Sequence, residues 1–384
     1  MFKRTLQYIS VLSIVLGFMI AAGCQSPSPA APFVSSGKVN FDKGKYEQAI
    51  TDYAKAIELD PKAADAYIWR SKAYYLKSKY DQALADSIKA VELRPGSAAA
   101  LTGRGRAYTM KKQYEPAIAD LENAVKIDPG FSDAYLGLAR YYRAQKQYEK
   151  SLANYNKAIE MDDKNAEYYT GRGTYFRVVS DFDKAFQDYS KAIELNPTGF
   201  PDAYDGRALC NYVRRNYDGV IEDDKRAIEL NPDIAMYYNN RGYAYLLNGN
   251  FDNAIKDINK SLELDPNDAY TWDSHGWLYF LQGNVNQALE DINRAMSSVN
   301  DNDDMYWHRG ACYYTTKEYD KAMADLDKSI ELNGKNSEPY FYRGLCYKVL
   351  GQKDMAIVDF QATINNSTDT ALLKLAMDEL KSLK

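Results

Sequence analysis

The chain has 384 residues, is 46% hydrophobic and 26% charged, and carries a formal charge of −5. That acidic balance argues against nucleic acid, whose phosphate backbone calls for a basic footprint. No segment is strand-rich and no long linker interrupts the chain, so composition points to an all-helical protein.

In chain order, residues 1–23 stand apart from the fold. Lys3 and Arg4 make a basic start, Thr5 to Ile20 is mostly apolar, and Ala21-Ala22-Gly23-Cys24 follows. This is the three-part layout of a secretory signal. The small residues before the cysteine resemble the cleavage and lipidation site of bacterial lipoproteins, with Ala21 where that motif usually has Leu. The resemblance implies an acylated Cys24 and a chain exported to the cell envelope, touching the membrane only through its lipid. In a Gram-negative cell, Gln25 resembles an outer-membrane sorting signal. A signal cut near Ala30 and an uncleaved anchor are the alternatives. The apolar run falls short of the ~20 residues that span a bilayer, which favours removal. Losing Lys3 and Arg4 would leave the rest more acidic still. Residues 24–32 then form a Pro/Ser/Ala tether, expected to stay extended and unpacked.

The body spans residues 33–370. Prolines at 61, 95, 129, 197, 232 and 266 recur at intervals of 34 or 35 residues, or of two such periods. Ten 34-residue windows fit from about Ala30 to Thr370, with one inserted residue near Phe200. The seventh shows the unit most fully. A helix is expected from Ala235 to Leu247, with Tyr238, Gly242 and Tyr245 on one face. Asn248-Gly249-Asn250 breaks it, because Gly and Asn accept the left-handed conformation. A second helix from Phe251 to Glu263 turns Ala254, Ile258, Ser261 and Leu262 inward, and Pro266 closes the unit. The first window is degenerate, the fourth has Asp163 in place of proline, and residues 371–384 read as a lone, polar-faced capping helix.

A 34-residue helical hairpin with Tyr238-x2-Arg241-Gly242-x2-Tyr245, Ala254-x3-Ile258 and Pro266 resembles the tetratricopeptide repeat. Tyr238 stands where that family often has Trp, and Arg241 where it often has Leu. The resemblance implies an all-α solenoid, a right-handed superhelix of about ten hairpins. One hairpin is too small to bury its own core, so stacking must supply it.

Repeat positions sort the remaining residues. Twenty of the 34 tyrosines fall on positions 4, 11 and 17, which reads as core packing. Cys210, Cys312 and Cys346 share position 10, where other repeats place Ala73 or Ala244. Neighbouring helices sit ~8–10 Å apart and a disulfide needs Cα atoms within ~7 Å, so three free buried thiols are expected. Position 7 is arginine in seven windows and position 23 is aspartate in nine. The fourth window loses both together, as Leu138 and Asn154. A structural ladder within each repeat follows: Arg70–Asp86, Arg104–Asp120, Arg172–Asp188, Arg207–Asp223, Arg241–Asp257, Arg309–Asp325 and Arg343–Asp359.

Function must lie in what does not repeat. In the tetratricopeptide family the concave groove is lined from first-helix positions 5, 9 and 12. Position 9 is Lys38, Lys72, Arg106 and Arg140 in the first four windows, and Arg143 and Arg177 continue the cluster from position 12. Later the lining turns aromatic, with Tyr243, Trp277, Phe280, Trp307 and Phe341. Such a groove fits a protein or peptide segment that is acidic and then carries apolar anchors. The bland alternative is a solvated basic face, with aromatics packed between helices. The sequence holds no nucleophile elbow, phosphate loop or zinc motif. His275 and His308 lack the spacing of a metal site. The expectation is therefore a non-enzymatic scaffold without cofactor, metal, nucleic acid or small-molecule substrate. An envelope-polymer binder, stacking aromatics on sugar faces, is the alternative.

Overall fold

The computed structural model describes residues 28–383. Among them are 21 helices and no strand. The first five hairpins are α1 (Ala31–Asp42) with α2 (Tyr46–Leu59), α3 (Ala64–Leu76) with α4 (Tyr80–Leu93), and α5 (Ala98–Met110) with α6 (Tyr114–Ile127). Then come α7 (Ser132–Ala144) with α8 (Tyr148–Met161) and α9 (Ala166–Val178) with α10 (Phe182–Leu195). The next five are α11 (Pro201–Val213) with α12 (Tyr217–Leu230), α13 (Ala235–Leu247) with α14 (Phe251–Leu264), and α15 (Ala269–Leu281) with α16 (Val285–Met296). Last are α17 (Asp303–Thr315) with α18 (Tyr319–Leu332), α19 (Glu338–Val349) with α20 (Lys353–Asn366), and the lone α21 (Thr370–Ser382). Packing divides them into two compact units, the first ending at Phe200 and the second beginning at Pro201. The division falls on the inserted residue. None of these helices is long and apolar enough to cross a membrane.

Local chemistry sets both ends of each hairpin. Before the first helix of most repeats, an Asp or Asn side chain accepts a backbone N–H two residues on, as Asp60 does from Lys62 at 3.0 Å and Asp265 from Asn267 at 3.0 Å. This Asx turn reverses the chain between repeats. Inside each hairpin, position 15 has positive φ. It is glycine at Gly44, Gly249, Gly283 and Gly351, but Ser78, Lys112, Lys146, Ser180, Arg215 and Lys317 elsewhere. The next residue donates its N–H back to the carbonyl of position 11, as Lys79 does to Tyr74 at 2.9 Å and Asn250 to Tyr245 at 2.8 Å. That bond closes a Schellman turn. Of Asn248-Gly249-Asn250 only Gly249 takes the left-handed conformation (φ 73°). Asn250 instead caps α14 through the Asn253 N–H.

Within a hairpin, the small residue at position 8 admits the large one at position 24. A Cβ on Gly105 would lie 2.7 Å from Leu121 Cγ, and one on Gly310 would lie 2.8 Å from Leu326 Cγ. Buried alanines such as Ala49, Ala83 and Ala117 let the second helix sit close. Cys210, Cys312 and Cys346 are buried thiols, not joined in a disulfide among the described residues.

The position-7 arginines meet the aspartate sixteen residues on. Arg70, Arg104, Arg172, Arg241, Arg309 and Arg343 each place Nε and Nη2 at 2.7–2.8 Å from the two carboxylate oxygens of Asp86, Asp120, Asp188, Asp257, Asp325 and Asp359. Arg207 grips Asp223 with Nη2 at 2.6 Å. These are fork-to-fork pairs on half-buried arginines. His275 takes the arginine's place and meets Asp291 at 2.9 Å. In the fourth repeat Leu138 is buried, and the Asn154 amide turns back to the Lys150 carbonyl.

Two expectations need correction. The tether was expected to stay unpacked as far as residue 32, but Ala31 and Pro32 open α1 and Ala30 is buried against Ala56 and Ala66. Proline is well placed there, because the first turn of a helix needs no N–H from it. The capping helix covers Phe341 and Phe360 through Ala376 and Leu372, but its far side exposes Leu375 and Met377 and is not wholly polar. Cys24 lies outside the described residues.

Candidate functional site

In the first unit three of the basic residues expected to line a groove, Lys72, Arg106 and Arg140, are already paired with acids. Arg106 is 5% exposed, and its Nη2 lies 2.5 Å from Oε1 of Glu167, itself 4% exposed. Arg140 Nη1 reaches the same oxygen at 3.0 Å. Lys72 Nζ lies 3.0 Å from Asp133 and 3.9 Å from Glu167. The Arg106 guanidinium lies over the Tyr75 ring at 4.4 Å, and Lys38 sits over Trp69 at 5.1 Å. Burial by itself would raise the Glu167 carboxyl, but Arg106, Arg140 and Lys72 hold it well below the usual carboxylate range. The expected basic stripe thus shrinks to Lys38, which lies over Trp69, and Arg143 and Arg177; none of the three pairs with a carboxylate among the described residues. The reason is a register that spacing within one repeat does not reveal. Position 9 meets position 2 two repeats further on, 61 residues away. The acids Asp133 and Glu167 stand at that position.

The second unit uses the same register with different residues. Tyr243, at position 9, and Asp304, at position 2 two repeats on, both line a cavity of about 380 Å³ with Tyr212, Asn239, Asp273 and His308. A larger cleft of about 640 Å³ is lined by Tyr212, Tyr243, Trp277, Leu281, Trp307, Phe341 and Glu338. Arg215, in the turn between α11 and α12, crosses to Glu338 at 3.3 Å and to Asp369 at 3.1 Å. These two bonds tie the first hairpin of the unit to its last and bound the cleft.

The aromatic residues lie deeper than a ligand platform would. Trp277 and Trp307 are each 6% exposed. Trp277 stacks on Phe280 at 4.7 Å, and Trp307 meets it edge-on at 4.7 Å. Phe341 is buried against Phe360 and Tyr342. They form the inner wall, and Tyr212 and Leu281 supply its more exposed rim.

The polar side of the cavity was missed from sequence, although acids at position 2 of repeats nine and ten were there to be read. Burial pushes the Asp304 carboxyl above its usual range. Its hydrogen-bond partners are neutral, the Trp307 Nε1 at 2.9 Å and the Asn336 amide at 3.3 Å. Asp273 takes His308 Nδ1 on both oxygens, at 2.9 and 3.0 Å. His275 and His308 therefore serve separate carboxylates. Among the described residues no group of three or more His, Cys, Asp or Glu could hold a metal ion. One helical turn beyond Val220, which lines the cavity, Asp224 is buried without a partner. Burial and Asp205 push it well above its usual range.

Comparison with known proteins agrees with the architecture. Models of the tetratricopeptide repeat match residues 37–78, 77–130, 110–173 and 235–268. A model of anaphase-promoting complex, cyclosome, subunit 3 matches residues 283–363. No curated protein matches the sequence. Among solved structures, the Cut9-Hcn1 hetero-tetramer of the APC/C is similar at 14% identity, with a TM-score of 0.53 over 93% of this chain and 96% of that one. Yeast Tom70 is a looser likeness, at 16% identity with a TM-score of 0.42 over 92% and 95% of the two chains.

Proposed function

Since this chain is built of tetratricopeptide repeats, we propose that it is a non-enzymatic protein–protein interaction scaffold, holding a partner's polypeptide segment in the cleft of its second unit. The observation that carries this reading is the cleft itself. It is walled by aromatic side chains, rimmed by Tyr212 and Leu281, and bounded by the Arg215 bonds. Aromatic walls with a partly exposed rim are the surfaces on which binding energy concentrates. An acidic stretch of a partner would meet Arg143 and Arg177 in the first unit. The polymer-binding alternative has less support, because Trp277 and Trp307 are packed on each other and Phe341 on Tyr342 and Phe360, and all three are buried rather than open to lie flat on a sugar.

The scaffold is exported and held at the cell envelope by lipid on Cys24. That part rests on the sequence from Lys3 to Cys24. Changing Cys24→Ala in a lipid-labelling bacterial host would abolish incorporation of labelled palmitate. Unchanged labelling would refute the anchor.

The scaffold reading is tested by affinity capture with the full chain, followed by identification and re-binding of the purified partner. The Tyr212→Ser/Leu281→Ser double variant changes only the rim and should weaken re-binding at least tenfold with its thermal melt unchanged. A partner that re-binds both proteins equally would overturn the assignment of the cleft.

A further inference from the structure

The first unit contains a template for what the second lacks. There, Tyr75 (position 12), Arg106 (position 9 of the next repeat) and Glu167 (position 2, two repeats beyond that) form one stack. A guanidinium lies on a ring at 4.4 Å and against a carboxylate at 2.5 Å. The same three positions in the second unit are Tyr212, Tyr243 and Asp304. Ring and carboxylate are retained, and the arginine is replaced by a second ring. Tyr212 and Tyr243 lie 6.1 Å apart, and no cation pairs with Asp304 among the described residues. The cavity of about 380 Å³ opens beside all three.

Two further groups on that cavity lack partners. Asn239 is 8% exposed and its Oδ1 accepts no hydrogen bond. His308 is 0% exposed. Its Nδ1 is engaged by Asp273 and its Nε2 is unpartnered. With the proton on Nδ1, as the Asp273 bond favours, Nε2 is a second orphan acceptor. Buried acceptors without donors are costly and unusual. Here they accompany an unpaired carboxylate and tyrosine faces. A planar cation with several N–H donors answers all of these at once.

We propose that this cavity receives the guanidinium of an arginine side chain from a bound polypeptide, filling the role that Arg106 fills internally in the first unit. The proposal rests on the scaffold reading and names the chemistry of its partner.

The test is isothermal titration of the full chain at low salt with the peptide acetyl-(Gly-Arg)3-amide and with the same peptide carrying citrulline for arginine. Citrulline keeps the shape and removes the charge. The arginine peptide should bind at least tenfold more tightly. Asp304→Asn, which can still accept from Trp307, should remove most of that difference. Glu122→Gln, an exposed acid on α6, should leave it intact. Tyr243→Arg should place the chain's own guanidinium in the cavity, raise the melting temperature and abolish peptide binding. The proposal fails if the two peptides bind alike or neither binds. It also fails if Asp304→Asn binds like the parent, or if Glu122→Gln loses as much. A Tyr243→Arg variant that still takes the arginine peptide refutes it as well. A chain that keeps its captured protein partner but ignores the arginine peptide would retain the scaffold reading and lose only this one.

Discussion

Glu167→Gln is the sharpest perturbation of the first unit. The carboxylate holds Arg106 at 2.5 Å and Arg140 at 3.0 Å, while Lys72 keeps Asp133. Removing one partner of a buried ion pair strands the other and costs ~3–5 kcal/mol. The Tyr75 face still stabilises the Arg106 cation by up to ~2 kcal/mol, so the lower end, about 3 kcal/mol, is expected. For a unit of this size ~1 kcal/mol moves the melting temperature by ~2–4 °C, so the fall should be about 6–12 °C. Calorimetry of the full chain measures it, and hydrogen exchange should confine the lost protection to the first unit. The pH dependence adds a second check. The folded Glu167 carboxyl titrates below its ordinary value. Its contribution is therefore present above the unfolded carboxyl's pKa of about 4.3 and is lost as pH falls through the lower folded value. The gap between parent and variant should stay constant from pH 8 to about 5 and close only in stronger acid. A fall of less than 2 °C, or a gap already shrinking at pH 6, would mean that the cations are satisfied by water and that Glu167 is no hub.

Three other outcomes are expected. Gly310→Ala puts a methyl 2.8 Å from Leu326 Cγ and should cost ~1–3 kcal/mol by overpacking, read by urea denaturation; a neutral result would show that the hairpin can part without cost. Lys146→Gly relieves a side chain held at φ 57° and should stabilise by up to ~1 kcal/mol, whereas Gly249→Ala should destabilise by a similar amount. Burial pushes the Cys312 and Cys346 thiols up to about 12, so neither should react with a thiol reagent at pH 8 until denaturant unfolds the second unit; rapid labelling of the native chain would contradict their burial.

Most of what is local or periodic in this chain is legible in its residues alone. A 34-residue period, inward residues such as Gly242 and Ile258, and a joint loss of Arg and Asp in the fourth repeat suffice to specify helical hairpins with a ladder inside each. Those contacts join residues sixteen apart on two helices linked by a short turn, so one repeat contains both partners. The tertiary structure decided the rest, because stacking brings together residues that no single repeat contains. Position 9 reaches position 2 two repeats on for Lys72 and Arg106 and one repeat on for Arg140, which turns all three from a free basic stripe into the partners of Asp133 and Glu167. The same register leaves Asp304 facing Tyr243 in the second unit. How deeply Trp277 and Trp307 lie, and that Arg215 reaches Glu338 and Asp369 more than a hundred residues away, depend on how successive hairpins turn against one another. That turn is the sum of many small packing offsets, and no residue pattern within one period records it.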